Sequence, residues 1–138
     1  MINIYTDGGS RGNPGPSAIG VFIKDGEGNI LFAKGKSIGN ATNNIAEYRA
    51  LLESLDWVLE HRDFLSGKEP INFYTDSKLM HSQIIGAYRV KNDALKKLLA
   101  DLKGKEEKIG LSVRYFHIGR ENNKDADRLV NAALDNRW

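Results

Sequence analysis

Apolar and polar positions alternate from the first residues of the chain. Ile2 and Ile4 interleave with Asn3 and Tyr5, a period of two that predicts a strand ending near Asp7. Residues 8–16 are rich in Gly, Pro, Ser and Asn and read as a loop. An apolar, partly β-branched run over 18–24 and a second strand-like run over 30–37 flank the turn residues of 25–29, a hairpin signal that with the first strand suggests a meander. Thr42, Asn43 and Asn44 offer N-cap side chains. Ile45, Tyr48, Leu52, Leu55 and Leu59 then recur at helical spacing, predicting an amphipathic helix from Asn44 to about His61. After Gly67 and Pro70, Ile71, Phe73 and Thr75 alternate as a fourth strand ending at Asp76. Residues 77–85 and 92–102 read as helices, 104–110 as a charged turn and 111–117 as a fifth strand. A loop over 119–122 leads into a closing helix over 123–136.

The order βββαβααβα argues an α/β fold built on a mixed sheet. Tyr5-Thr6-Asp7 and Tyr74-Thr75-Asp76 both end strands, with the same parity of apolar residues before the acid. If these strands are parallel neighbours, both carboxylates emerge at one end of the sheet. The helix from Asn44 supplies the crossover. The first strand then has a hairpin partner on one side and a crossover partner on the other, a switch point of the kind where open α/β sheets place their sites.

Length and charge narrow the picture. At 138 residues, with no long repeat, low-complexity tract or linker, residues 1–138 are expected to form one domain. The absence of cysteine excludes disulfides, thiolate metal sites and cysteine nucleophiles. Twenty basic against 18 acidic residues leave a net charge of +2, too little to hold a polyanion by bulk attraction. A nucleic-acid role requires a local basic patch. Residues 86–114 supply a candidate, with eight basic residues (Arg89, Lys91, Lys96, Lys97, Lys103, Lys105, Lys108 and Arg114) against four acidic ones. No secretory signal or membrane span is read, so a soluble, cytoplasmic protein is expected.

Asp7 and Asp76 also have plain readings, as a turn residue and a helix cap. Glu47 sits in the first turn of its helix, where a capping box or dipole contact would explain it. In the last helix, Asp125 and Asp127 compete for a place near the same sheet end. Carboxylates that converge there repel one another and resist desolvation. A bound hard cation removes both difficulties. Mg²⁺ takes oxygen ligands and suits phosphate substrates, whereas zinc is disfavoured without cysteine and with His61, His81 and His117 scattered. Two such ions about 3.5–4 Å apart serve phosphodiester cleavage. Residue types alone thus point to metal-assisted phosphoryl transfer or hydrolysis.

Four segments in order carry a specific resemblance. TDGGSRGNPGPSAIG from Thr6, TNNIAEYRAL from Thr42, YTDSKL from Tyr74 and FHIGRENNKDADRLVNAA from Phe116 resemble the four motifs of ribonuclease H, type 1. The match spans nearly the whole chain. It implies a five-stranded mixed sheet flanked by helices, and an endonuclease that cuts the RNA strand of RNA–DNA hybrids to leave 3′-hydroxyl and 5′-phosphate ends. It implies Asp7, Glu47, Asp76 and Asp127 as catalytic metal ligands. Asp7 would bridge two Mg²⁺ ions, with Glu47 and Asp76 on one and Asp127 on the other, and Mn²⁺ as a substitute. Asp127, followed by Arg128 and Leu129, matches the motif where Asp125 does not. His117 matches a family histidine assisting proton transfer or product release. Glu121 is expected near the metal that Asp127 holds. Gly8, Gly9, Asn13, Asn43 and Asn44 match substrate contacts, and Asn123 a residue that positions the last helix. The implied partner is the hybrid, bound by a monomer. A same-fold nuclease acting on double-stranded RNA and a non-catalytic hybrid-binding module are the alternatives. The chain departs from many relatives in lacking a long basic insertion after the third motif, and in placing Lys78 where some carry Gln.

Overall fold

The structure, a computed structural model, describes residues 1–136. Strands β1 (Ile2–Ser10), β2 (Gly15–Asp25), β3 (Ile30–Ala41), β4 (Ile71–Thr75) and β5 (Val113–His117) form one sheet in the order β3-β2-β1-β4-β5. β1, β2 and β3 pair antiparallel, while β4 runs parallel to both β1 and β5. The meander and the parallel crossover are those the alternation predicts. Tyr5 pairs with Tyr74 and Thr6 with Thr75, so Asp7, still within β1, stands beside Asp76 where β4 ends.

Helix α1 (Asn43–Glu60) makes the crossover. Its cap is Thr42, whose Oγ1 accepts the Ile45 N–H at 3.2 Å. Tyr48, Leu51, Leu55 and Val58 bury one face of α1 against Ile2, Ile4, Ile71 and Phe73 of the sheet. The one-turn helix α2 (Arg62–Leu65) continues from α1 and plants Leu65 in this core, a short element that periodicity does not reveal. Helix α3 (Lys78–Ile84) follows β4. Helix α4 (Asp93–Ile109) packs along α1 and adds Leu95, Leu102 and Ile109 to the core. On the opposite sheet face, α5 (Lys124–Leu134) lies over β1, β2 and β3. Val130 and Ala133 of α5 pack on Ala18. Gly20 permits that contact, since a Cβ there would stand 2.3 Å from the Ala126 carbonyl oxygen. Among the described residues, no helix is long and apolar enough to cross a membrane.

Four elements exceed their expected bounds: β2 starts at Gly15 and β3 runs to Ala41, while the extensions of β1 and α4 have clear packing reasons. β1 runs through Gly8 and Gly9 to Ser10, because these glycines serve packing and not a turn: a Cβ on Gly8 would stand 2.3 Å from the Ala46 carbonyl carbon of α1. The expected charged turn over 104–110 is the last part of α4. Leu95, Leu102 and Ile109 recur every seventh residue on its buried face, and the helix stops only at Gly110 in the left-handed region (φ 65°).

Candidate metal and nucleic-acid site

Asp7 emerges from the middle strand of the sheet and is buried. Asp76 follows β4 directly, at a sharp exit fixed by two hydrogen bonds: Ser77 N–H donates to Thr75 Oγ1 at 3.0 Å, and Met80 N–H to Ser77 Oγ at 3.1 Å. Glu47 comes from the second turn of α1, not as a capping residue. The close approach of α1 at Gly8 brings its carboxylate down to β1, where Oε1 accepts the Gly8 N–H at 2.7 Å. Asp7, Glu47 and Asp76 each offer an oxygen within 4.8 Å of the others. Asp127 joins them from α5, within hydrogen-bond reach of Asp7. Its competitor Asp125 is turned to Arg128, 3.1 Å away.

Asn123, just before α5, does more than position that helix. It is buried, and its Nδ2 donates to the Thr6 carbonyl at 2.9 Å and to Asp76 Oδ2 at 3.2 Å. One amide thereby ties the last helix, the central strand and a site carboxylate together. Its Oδ1 is buried without a protein partner.

The cluster is electrostatically unfavourable as a set of bare anions. Burial first, then the charges of Asp76 and Asp127, push the Asp7 carboxyl up to about 8, against a partial pull downward by the Gly8 N–H. Burial and the neighbouring Asp7 and Asp76 hold Glu47 well above the usual carboxylate range, while Gly8 and Arg120 act the other way. A divalent cation would oppose the mutual repulsion. The donors are all carboxylate oxygens, which fits a hard ion such as Mg²⁺ or Mn²⁺. The four acids line a cavity of about 650 Å³, with Gly9, Asn43, Asn44, Lys78, Arg120 and Asn131 in its wall.

A family model described as reverse transcriptase-like matches residues 5–133. Ribonuclease HI of Halobacterium salinarum is 38% identical over 135 residues, covering 97% of this chain. The chain belongs to the ribonuclease H family. Its architecture agrees closely with a solved ribonuclease H of that family, LC11-RNase H1, isolated from compost: the TM-score is 0.93 at 43% identity, covering 99% of this chain and 96% of the other. The same relative has been solved in complex with an RNA/DNA hybrid, with a TM-score of 0.91 and 42% identity, covering 99% of this chain and 98% of that one. The chain spans 64% of the Halobacterium protein, and 35% of the 37% identical bifunctional protein Rv2228c of Mycobacterium tuberculosis, where it matches over 97% of its own length.

Within this ribonuclease H domain, Gly8, Gly9, Asn43 and Asn44 line the cavity with the acids. Asn13 stands outside the wall and is joined to it by a relay. The Asn43 N–H donates to Asn13 Oδ1 at 3.1 Å, and the Ser10 N–H to Asn43 Oδ1 at 3.0 Å. Both amide oxygens are thus engaged by backbone, which leaves the Nδ2 groups as the free donors.

His117 is not brought to the cavity wall. It ends β5, exposed, with its ring 6.2 Å from that of His81. Glu121 folds back on Gly119 and is likewise outside the wall. Arg11 and Arg120, which sequence reasoning passed over, join Lys78 in the cavity wall, and the charge of Arg120 acts on the Glu47 carboxyl. The signal available for Arg120 was a cation directly before an acid-rich helix start, in a chain already committed to an acidic pocket.

The basic stretch is only partly free. Lys105 pairs with Asp56 at 2.6 Å, Lys103 with Glu106 at 3.8 Å and Lys96 with Asp93 at 4.0 Å. Between α3 and α4, Tyr88, Arg89, Val90, Lys96, Leu99 and Lys103 surround a second, more open groove of about 650 Å³.

Proposed function

We propose that the chain hydrolyses the RNA strand of RNA–DNA hybrids, leaving 3′-hydroxyl and 5′-phosphate ends. The observation that carries this reading is the convergence of Asp7, Glu47 and Asp76 within 4.8 Å, in a chain whose 42% identical structural relative binds an RNA/DNA hybrid. Asp7, Glu47, Asp76 and Asp127 are the proposed ligands, and Mg²⁺ the proposed ion. A pair of bound ions would neutralise the acids, polarise the phosphodiester and favour ionisation of an attacking water.

The chain's own groups set that chemistry up. The Gly8 N–H fixes the Glu47 carboxylate, and Asn123 fixes Asp76, so two ligands from different elements keep their aim. Asn43 and Asn44 stand where amide donors can meet ribose hydroxyls across a shallow groove, the feature that separates RNA from DNA. Arg120 supplies positive charge beside the reacting phosphate. For His117, exposed at the end of β5, the proposed part is product release. The groove of Tyr88 and Arg89 is a proposed track for the uncut strand.

Labelled RNA–DNA, RNA–RNA and DNA–DNA duplexes incubated with the protein in Mg²⁺ or Mn²⁺ test the reading. Metal-dependent cutting confined to RNA in the hybrid is expected. Equal cutting of RNA–RNA would move the assignment to a double-strand ribonuclease. No cutting of any duplex would remove the enzymatic reading.

A further inference from the structure

Four aromatic side chains form one row across the sheet. Phe22, Tyr5, Tyr74 and Phe116 are paired in register on β2, β1, β4 and β5. Their neighbours along the strands, Ile4, Val21, Ile23, Phe73 and Tyr115, pack in the core under α1, so the row lies on the other face of the sheet. On that face α5 lies over β1, β2 and β3. Helices α3 and α4 belong to the α1 side, where Met80, Ile84, Leu95 and Leu102 enter the core.

The row is a stack with one closed end and one open end. Tyr5 and Tyr74 have their centroids 4.8 Å apart and planes 16° apart; for Tyr74 and Phe116 the values are 5.4 Å and 22°. These separations follow the spacing of neighbouring strands, so the rings stand side by side, face to offset face. At the β2 end Phe22 is buried, and the Lys24 ammonium lies 5.6 Å from the Tyr5 centroid. At the other end β5 is the edge strand, and Phe116 is 38% exposed. With Tyr74 on its inner side and no strand beyond β5, the outer side of the Phe116 ring faces solvent.

Charge on this edge has a definite sign. Two residues before Phe116, on the same face, Arg114 is exposed and takes part in none of the ion pairs found among the described residues. Asp125, the acid whose charge reaches Tyr5, is engaged by Arg128 at 3.1 Å. The edge therefore offers a planar apolar surface with a free guanidinium about 7 Å along the strand. A nucleotide carries the complement, a flat base and an anionic phosphate. Bases inside a duplex have both faces covered, whereas those of a single strand can stack on a protein ring.

We infer that Phe116 is a stacking platform for an unpaired base of a single-stranded nucleic acid, with Arg114 on its phosphate backbone. The contact is separate from the carboxylates and needs no metal, so it stands or falls independently of the nuclease reading. Stacking makes no hydrogen-bond demand on base or sugar, and DNA and RNA strands are taken alike.

Fluorescence anisotropy of a labelled oligodeoxythymidylate, titrated with protein in chelator, tests this. The wild type is expected to bind saturably, F116L to bind about fivefold or more weakly, and F116Y to match the wild type. An abasic strand of the same length should bind wild type and F116L equally. R114Q should make the dependence of log affinity on log salt shallower by about 0.7, the loss of one single-strand phosphate contact. No binding by the wild type, equal binding of the thymidylate by F116L, or a loss in F116L that F116Y shares would overturn the inference. A loss in Y88L with none in F116L would also overturn it, by moving the strand to the groove between α3 and α4. Light scattering on the same samples covers the other occupant of an open edge: a wild-type dimer that F116L converts to monomer would assign the surface to a second copy of the chain and overturn the inference.

Discussion

The first residues of β1 and β4 and the positions three residues further along differ sharply in character. At one end Ile2, Ile4, Ile71 and Phe73 are buried against α1, and their removal from water supports the fold. Three residues further along the same strands stand Asp7 and Asp76, with Glu47 driven down between them. There burial and mutual repulsion raise the Asp7 and Glu47 carboxyls and work against the fold. The apolar end therefore positions an arrangement that the acidic end alone would push apart. Stability and chemistry are divided along single strands, and substitutions at the two ends should separate them.

The largest contrast is expected from Asp7→Asn. Loss of a shared metal ligand should lower turnover of hybrid by at least about a thousandfold, on the scale of removing a main electrostatic element of a site. The metal-free fold should be no less stable, because Asn is a neutral near-isostere that removes the cost of ionising a buried acid beside Asp76 and Asp127. Thermal melting and cleavage measured on the same sample check both halves. A marked fall in melting temperature would break the comparison.

Ile4→Ala should do the reverse. Truncating this fully buried side chain is expected to remove about 2–5 kcal/mol of stability, read by urea unfolding, while activity per folded molecule persists well below the new melting point.

The third test uses pH. An acid whose folded pKa lies above its unfolded value binds its proton more tightly in the folded state. Its stabilisation is complete below the unfolded value and is lost as pH rises through the folded one. With Asp7 at about 8, and Glu47 shifted in the same direction, the metal-free protein should lose stability between about pH 4 and 8. The rate of loss is up to about 1.4 kcal/mol per pH unit for each proton released. Melting curves in chelator across that range check it, and the slope should be smaller in Asp7→Asn.

The smallest effect is expected at Tyr48→Phe, which removes the hydrogen bond to Gln83 between the cavity walls. About 1–2 kcal/mol of stability should be lost, with KM more affected than the unfolding slope.

Much of this division was legible in the sequence, because strand parity is. The matching Tyr-Thr-Asp triplets gave the parallel register that places Asp7 beside Asp76. Glu47 was less legible. Its position depends on the depth to which α1 settles, and that depends on Gly8, a residue whose type suggests a turn when it in fact admits a helix backbone. The end of α4 was hidden for a similar reason. Gly104 and a run of charges mask a buried face that reappears only at Ile109. Arg120 and Asn123 were hardest to read, since their parts rest on where a short 3-10 turn at Arg120–Asn122 lays the chain between β5 and α5. No local pattern encodes that path.

The central claim is that the acidic end is completed by a divalent cation. Calorimetric titration of Mn²⁺ into the metal-free protein and into Asp7→Asn at neutral pH tests it most directly. Saturable binding accompanied by a rise in melting temperature is predicted for the wild type, with both lost or strongly weakened in the variant. Absence of binding to the wild type, or equal binding by the two proteins, would contradict the account.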